Sequence, residues 1–127
     1  MSSLELVIYN ILINAHINFL QEKNFKDCYS GYYRYDFYIP SMNTAIEING
    51  AQHYNFVKNF HKTRSDFTKA QERDRRKISY CLANNIKLYI IPYWEINNIN
   101  CLEDIFQEKF LAHDKFHNDR AWSQQKL

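Results

Sequence analysis

Two strand-like runs, residues 32–40 and 44–49, stand only three residues apart, and that spacing constrains the fold more than any other feature of the chain. The first run, Tyr-Tyr-Arg-Tyr-Asp-Phe-Tyr-Ile-Pro, is rich in aromatic residues and stops at Pro40, which has no amide to continue a ladder. The second, Thr-Ala-Ile-Glu-Ile-Asn, ends against Gly50. Strands joined by a link as short as Ser41-Met42-Asn43 pair antiparallel. Alternation puts Tyr35, Phe37 and Ile39 on one face of the first strand, and Ile46 and Ile48 on one face of the second. Asp36 and Glu47 then fall on the polar faces of adjacent strands.

The flanking segments read mainly as helix. Leu4, Val7, Ile8, Ile11, Leu12 and Ala15 recur at helical spacing and predict a first helix over residues 3–21. Ser2 or Ser3 serves as its N-cap, and Ser2 and Glu5 have capping-box spacing. Residues 23–31 read as a polar turn, and residues 56–65 as a basic, aromatic loop. Phe67, Ala70, Ile78, Cys81 and Leu82 mark a second helix over residues 66–84, stopped at Asn84-Asn85. Residues 86–92 are continuously apolar, as expected of a strand inside a sheet. A last helix starts at Ile96 or Asn100 and runs to Phe110, and a polar tail follows from His113. With 127 residues and only two glycines and two prolines, the expectation is one α/β domain over residues 1–112 and a tail over 113–127.

Composition narrows the function classes. No apolar run is long enough to span a bilayer, and Asn10, Asn14, His16 and Asn18 interrupt the first helix. The start, Met-Ser-Ser-Leu-Glu, has neither a basic region nor a cleavage site, so a cytoplasmic protein is expected. Cys28, Cys81 and Cys101 are odd in number and never closely paired, which argues for reduced thiols over disulfides or structural zinc. The net charge is only +2, but residues 58–77 hold eight basic residues against three acidic ones, a local +5 that leaves −3 elsewhere. Within that segment Lys62, Arg64, Lys69, Arg73, Arg76 and Lys77 are candidates to meet phosphates. A solvated helix face with internal ion pairs has the same composition.

The two carboxylates carry the chemistry. A carboxylate within an aromatic strand is costly unless it has a partner, and two brought close repel unless a cation lies between them. Oxygen donors suit magnesium or manganese, which activate water and stabilise a phosphoryl transition state. An ion pair with Arg34 or a lysine would satisfy the same spacing. Asn49 shares the Glu47 face, Gly50 lets the backbone turn, and Gln52 and His53 follow at once. His53 could orient or deprotonate a water, since imidazole titrates near neutrality, although a lone histidine after a strand also serves structure.

The runs Tyr35-Asp36-Phe37-Tyr38-Ile39-Pro40 and Ala45-Ile46-Glu47-Ile48-Asn49-Gly50-Ala51-Gln52-His53-Tyr54 resemble the PD-(D/E)XK nuclease superfamily. The branch is the one related to very-short-patch-repair endonucleases, with small phage and giant-virus members. Arg73-Asp74-Arg75-Arg76-Lys77 through Tyr80-Cys81, then Asn85-Ile86-Lys87-Leu88-Tyr89-Ile90-Ile91-Pro92-Tyr93, extend the resemblance over residues 3–99. It implies a restriction-endonuclease-like αβββαβ core, a mixed sheet flanked by helices, and metal-dependent phosphodiester hydrolysis leaving a 5′-phosphate. On the matching positions Asp36, Glu47 and the Ile48 carbonyl would hold Mg2+ or Mn2+. Glu5 would support the metal from the first helix, and Asp74 matches an acidic helix position.

Asn49 departs from the motif, which has lysine there, and an amide cannot supply a cation. Either Lys77 or another base from the second helix substitutes, or Gln52 and His53 position the water, the option that closeness in sequence favours. The expected protein is a phage or mobile-element DNA endonuclease, with double-stranded DNA ahead of RNA as substrate and a homodimer or two successive events for a double-strand break. A nucleic-acid-binding or inhibitor module on a degenerate nuclease fold is the rival reading, and an assembly protein with a tyrosine-rich surface is a third.

Overall fold

The Ser2 hydroxyl begins the first element by accepting the Glu5 amide at 3.1 Å, and helix α1 runs Ser3–Asn14. The computed structural model describes residues 1–55 and 62–125. Helix α1 ends well before the expected Gln21 because His16 takes a left-handed φ of 57°. The His16 and Ile17 amides then close onto the Ile13 and Leu12 carbonyls. The chain turns back as strand β1, Leu20–Asn24, where a helix end and a polar turn were expected. β1 is a mostly exposed edge strand, so no apolar alternation marks it in the sequence.

The hairpin forms as its spacing requires. Strand β2, Arg34–Ile39, and strand β3, Thr44–Asn49, pair antiparallel around a 3-10 turn over Pro40–Met42. Asn43, at φ 46°, completes the reversal. Helix α2, Arg64–Ala83, opens with a Thr63–Asp66 capping box. Asn85, at φ 57°, closes it, with the Ile86 amide on the Cys81 carbonyl at 2.9 Å. The Asn84-Asn85 stop is therefore present. Of the loop expected over residues 56–65, residues 56–61 lie outside the described part.

Strand β4, Lys87–Pro92, lies parallel to β3 along its whole length, giving a mixed sheet in the order β1-β2-β3-β4. β4 thus ends the sheet instead of sitting inside it. It is buried nevertheless, because Leu111 bridges Tyr89 and the Ala112 amide bonds the Leu88 carbonyl on its open side. The expected final helix is broken into a 3-10 turn over Tyr93–Asn98, a short helix α3, Leu102–Ile105, and a 3-10 turn over Glu108–Phe110. Within the expected polar tail, helix α4 occupies His117–Gln125.

Helices cover both faces of the sheet. Ile8 and Leu12 of α1 pack on Phe37, Ile39, Ile46, Ile48 and Ile91, while Ile78 and Cys81 of α2 pack on Tyr35, Ala45, Leu88 and Ile90. Tyr35 and Phe37 therefore serve opposite layers, contrary to the alternation expected of one regular strand. The parity of β2 changes at Asp36. Cys28, Cys81 and Cys101 are free thiols, and no described helix is long and apolar enough to cross a membrane.

Tyr35 is wholly buried, and its hydroxyl donates to the Lys77 carbonyl at 2.8 Å, tying β2 to α2. Tyr35→Phe is expected to lower the unfolding free energy by about 1 kcal/mol, the net worth of one such bond. Phe37→Ala empties the α1 layer and should cost about 3–5 kcal/mol. Urea unfolding of the two variants measures both, and equal losses would refute the layer assignment.

Candidate functional site

The β2–β3 ladder runs from Ile39↔Thr44 to Phe37↔Ile46 and stops there. Beyond it, side chains take over from backbone. Glu47 Oε1 accepts the Asp36 amide at 3.0 Å, and Asp36 Oδ2 accepts the Ile48 amide at 2.8 Å. On the other side, the β1–β2 pairing skips Glu22 and Asp36, and Glu22 takes a positive φ of 52°. Asp36 therefore sits at a break on both edges of its strand.

The break gathers acids. Carboxylate oxygens of Asp36, Glu5 from α1 and Glu22 from β1 all lie within 4.8 Å of one another. No other such group of acid, histidine or cysteine ligands occurs among the described residues. Burial first, and the Glu47 charge second, push Asp36 up to about 8, against the Ile48 amide and the Lys77 charge that pull it down. Glu5 was anticipated from the sequence and Glu22 was not, because an acid in an exposed polar strand carries no signal. Glu47 is not part of this trio, although it lies beside Asp36, whose amide it accepts and whose carboxyl its charge raises. The Ile48 group that the structure ties to the site is its amide.

Glu47 has a different partner. It is only 7% exposed, and its Oε2 lies 3.0 Å from Lys77 Nζ. Burial depresses Lys77, but the Glu47 charge and hydrogen bond outweigh it and hold the amine above its ordinary value. Lys77 is thus a fixed ammonium, tethered through its own carbonyl to Tyr35, with Nζ 4.9 Å from the Tyr35 ring centroid. Asn49, 2% exposed, lines the same cleft as Glu47, Asp74 and Lys77. Of the two substitutes for the missing lysine, geometry brings Lys77 to the carboxylate, whereas closeness in sequence had favoured Gln52 and His53.

Gln52 and His53 take other positions. The Gln52 side chain folds over Gly50, where an added Cβ would meet Gln52 Oε1 at 2.6 Å, so the glycine makes room for it. His53 Nδ1 lies 2.9 Å from Asp74 Oδ2. Against a carboxylate Nδ1 carries the proton, which leaves Nε2 with a free lone pair when the ring is neutral. Asn118 of α4 also reaches Asp74 Oδ2, at 3.4 Å, while its own Oδ1 is buried without a partner. Arg75 anchors that helix through Asp119 at 3.0 Å and through the Phe116 ring. Sequence reasoning missed Asn118, since nothing distinguishes it within a polar segment.

The basic segment divides. Lys77 is paired with Glu47 and Arg75 with Asp119, both only partly exposed. Lys62, Arg64, Lys69, Arg73 and Arg76 are exposed. Lys58, Phe56 and Phe60 lie outside the described residues.

The raised Asp36 value fixes a pH response. The folded state holds this proton more tightly than the unfolded chain, so Asp36's contribution to stability is complete below the ordinary carboxylate value near 3.8 and is lost as pH rises towards about 8. The metal-free protein is expected to melt at a lower temperature at pH 8 than at pH 5. Asp36→Asn should flatten that slope, which thermal unfolding across the range measures.

No family model matches the chain. Three viral proteins resemble part of it. "Uncharacterized protein 307L" of Invertebrate iridescent virus 6 is 43% identical over 58 residues, 46% of this chain and 29% of that protein. "Uncharacterized protein 094L" of Frog virus 3 (isolate Goorha) is 48% identical over 59 residues, 46% of this chain and 38% of that protein. "Uncharacterized protein 033L" of Invertebrate iridescent virus 3 is 34% identical over 58 residues, 46% of this chain and 30% of that protein. The chain spans between 29% and 38% of the length of these relatives, whose names state no activity.

Proposed function

We propose that the chain is a metal-dependent nuclease that hydrolyses phosphodiester bonds, with DNA as its first substrate. One observation carries the reading: Asp36 sits half-buried beside Glu5 and Glu22 at a break in the sheet, where its carboxyl is pushed up to about 8. Carboxylates crowded this way repel unless a cation shares them. The donor set is oxygen throughout, which fits a hard divalent ion such as Mg2+ or Mn2+ and not a soft one. Glu5, Glu22 and Asp36 would hold such an ion, which would supply Lewis acidity to a phosphate and acidify a water.

The remaining work falls to the chain itself. Lys77, held as an ammonium by Glu47, offers positive charge to phosphoryl oxygens in the transition state, which Asn49 cannot. His53 accepts a proton from the attacking water at Nε2, while Asp74 keeps the other ring nitrogen protonated. Asn118 holds Asp74 from behind. The exposed Lys62, Lys69, Arg73 and Arg76 follow the sugar–phosphate backbone.

Plasmid and single-stranded DNA incubated with Mg2+ or Mn2+ should be cut. Asp36→Ala and Lys77→Gln are each expected to slow cleavage by about 10²–10³-fold, and His53→Ala by about 10²–10⁴-fold. Cleavage undiminished in Asp36→Ala would identify a contaminant. Wild-type protein that binds DNA but cuts it with neither ion would replace this reading with the inactive binding module.

A further inference from the structure

The connection between β1 and β2 presents tyrosines that no core contact explains. Tyr32 is 78% exposed and Tyr29 is 50% exposed, both large apolar surfaces turned to solvent. They are joined through Tyr33, whose ring centroid lies 5.1 Å from Tyr29 and 5.6 Å from Tyr32. Arg76 of α2 covers the Tyr29 ring at 5.6 Å and donates to the Tyr33 hydroxyl at 3.4 Å. The cluster is therefore fixed to the same helix that supplies Lys77.

The backbone beneath it is also held. Tyr29 has a φ of 50° and Gly31 a φ of 74°, two left-handed residues around one 3-10 turn. Glycine tolerates that conformation freely, whereas a tyrosine there is strained. Asn24 Nδ2 bonds the Gly31 carbonyl at 3.2 Å, and the Gly31 amide bonds the Cys28 carbonyl at 3.0 Å. The rings stand on a set frame, so little freedom is lost when something stacks on them.

A groove runs from this platform to Lys77 and His53. Tyr32, Tyr33 and Arg34 line it with Arg73, Lys77 and His53, and it encloses about 460 Å³. Arg34 and Arg73 are exposed, and neither is ion-paired with a described acid. Unpaired cations beside exposed rings suit a ligand with phosphates on one edge and flat apolar faces on the other. A paired duplex hides its base faces inside the stack, and only an unpaired base can reach a ring.

We infer that the groove bounded by Tyr32, Tyr33, Arg34 and Arg73 is a subsite for an unpaired nucleotide, so that the chain takes single-stranded nucleic acid next to the reacting phosphate. This rests on the nuclease reading of the adjoining site and names its substrate class. Tyr32 stacks on a base, and Arg34 and Arg73 contact the flanking phosphates.

Binding without added metal separates the two readings. The full chain, with EDTA present, is titrated into a short fluorescein-labelled DNA strand, its RNA counterpart, and the DNA duplex of the same sequence. Anisotropy is expected to show tighter binding of a single strand than of the duplex at equal ionic strength. Tyr32→Ala should weaken single-strand binding by about 5- to 100-fold and leave duplex binding unchanged. An abasic residue in the strand should cause a comparable loss in the wild type and little in the variant. Arg34→Gln with Arg73→Gln should weaken both ligands and flatten the salt dependence. The DNA and RNA arms show which backbone is preferred, and preference for either strand over duplex supports the subsite. Equal or tighter duplex binding, or no effect of Tyr32→Ala, overturns it. Cleavage of duplex DNA without a single-strand preference would leave the nuclease standing and remove the subsite. A single-strand preference without cleavage would do the reverse.

Discussion

Two carboxylates displace backbone carbonyls from one sheet ladder, and the rest of the site depends on that exchange. Asp36 accepts the Ile48 amide, and Glu47 accepts the Asp36 amide, so β2 and β3 stay joined while their regular pairing stops. Both amides remain satisfied, which is what lets the strands part inside a buried sheet. The break changes the parity of β2, sending Tyr35 towards α2 and Phe37 towards α1. Each layer thus gains an aromatic anchor from the same strand.

Charge is arranged unequally about this break. Glu47 is neutralised by Lys77 in a buried pair that also fixes α2 against the sheet. Asp36 has no such partner and is crowded instead by Glu5 and Glu22. Losing Lys77 would strand a buried carboxylate. The Lys77–Glu47 pair joins α2 to the sheet, whereas Asp36 stands among acids contributed by α1 and β1.

Sequence and structure diverge where the sequence had no periodic signal. β1 is exposed and polar, so it read as a turn. The end of α1 turns on His16 adopting a left-handed conformation that side-chain pattern does not announce. β4 has the continuous apolar pattern of an interior strand but ends the sheet, because Leu111 and Ala112 cover its open side. In the site, Asp36 and His53 could be picked out by residue type and neighbours, and Glu5 through the family resemblance. Glu22 and Asn118 could not, since each lies in a segment whose local character is simply polar, and their relevance depends on a strand and a helix packed from far along the chain.

The sequence alone determined the hairpin, the extent of α2 with its asparagine stop, the strand that follows it and the α/β class, because each follows from local patterning and short connections. It also determined that Asp36 and Glu47 would be neighbours, since a three-residue link leaves adjacent strands no other choice. Only the tertiary structure decided what each of them touches. Lys77 is thirty residues from Glu47 in sequence. It reaches Glu47 because a crossover helix must pack on the sheet it spans. Glu5 and Glu22 meet Asp36 because α1 and β1 fold over the edge where the ladder is broken. Side-chain pairs across elements are set by packing geometry, which no window of sequence contains.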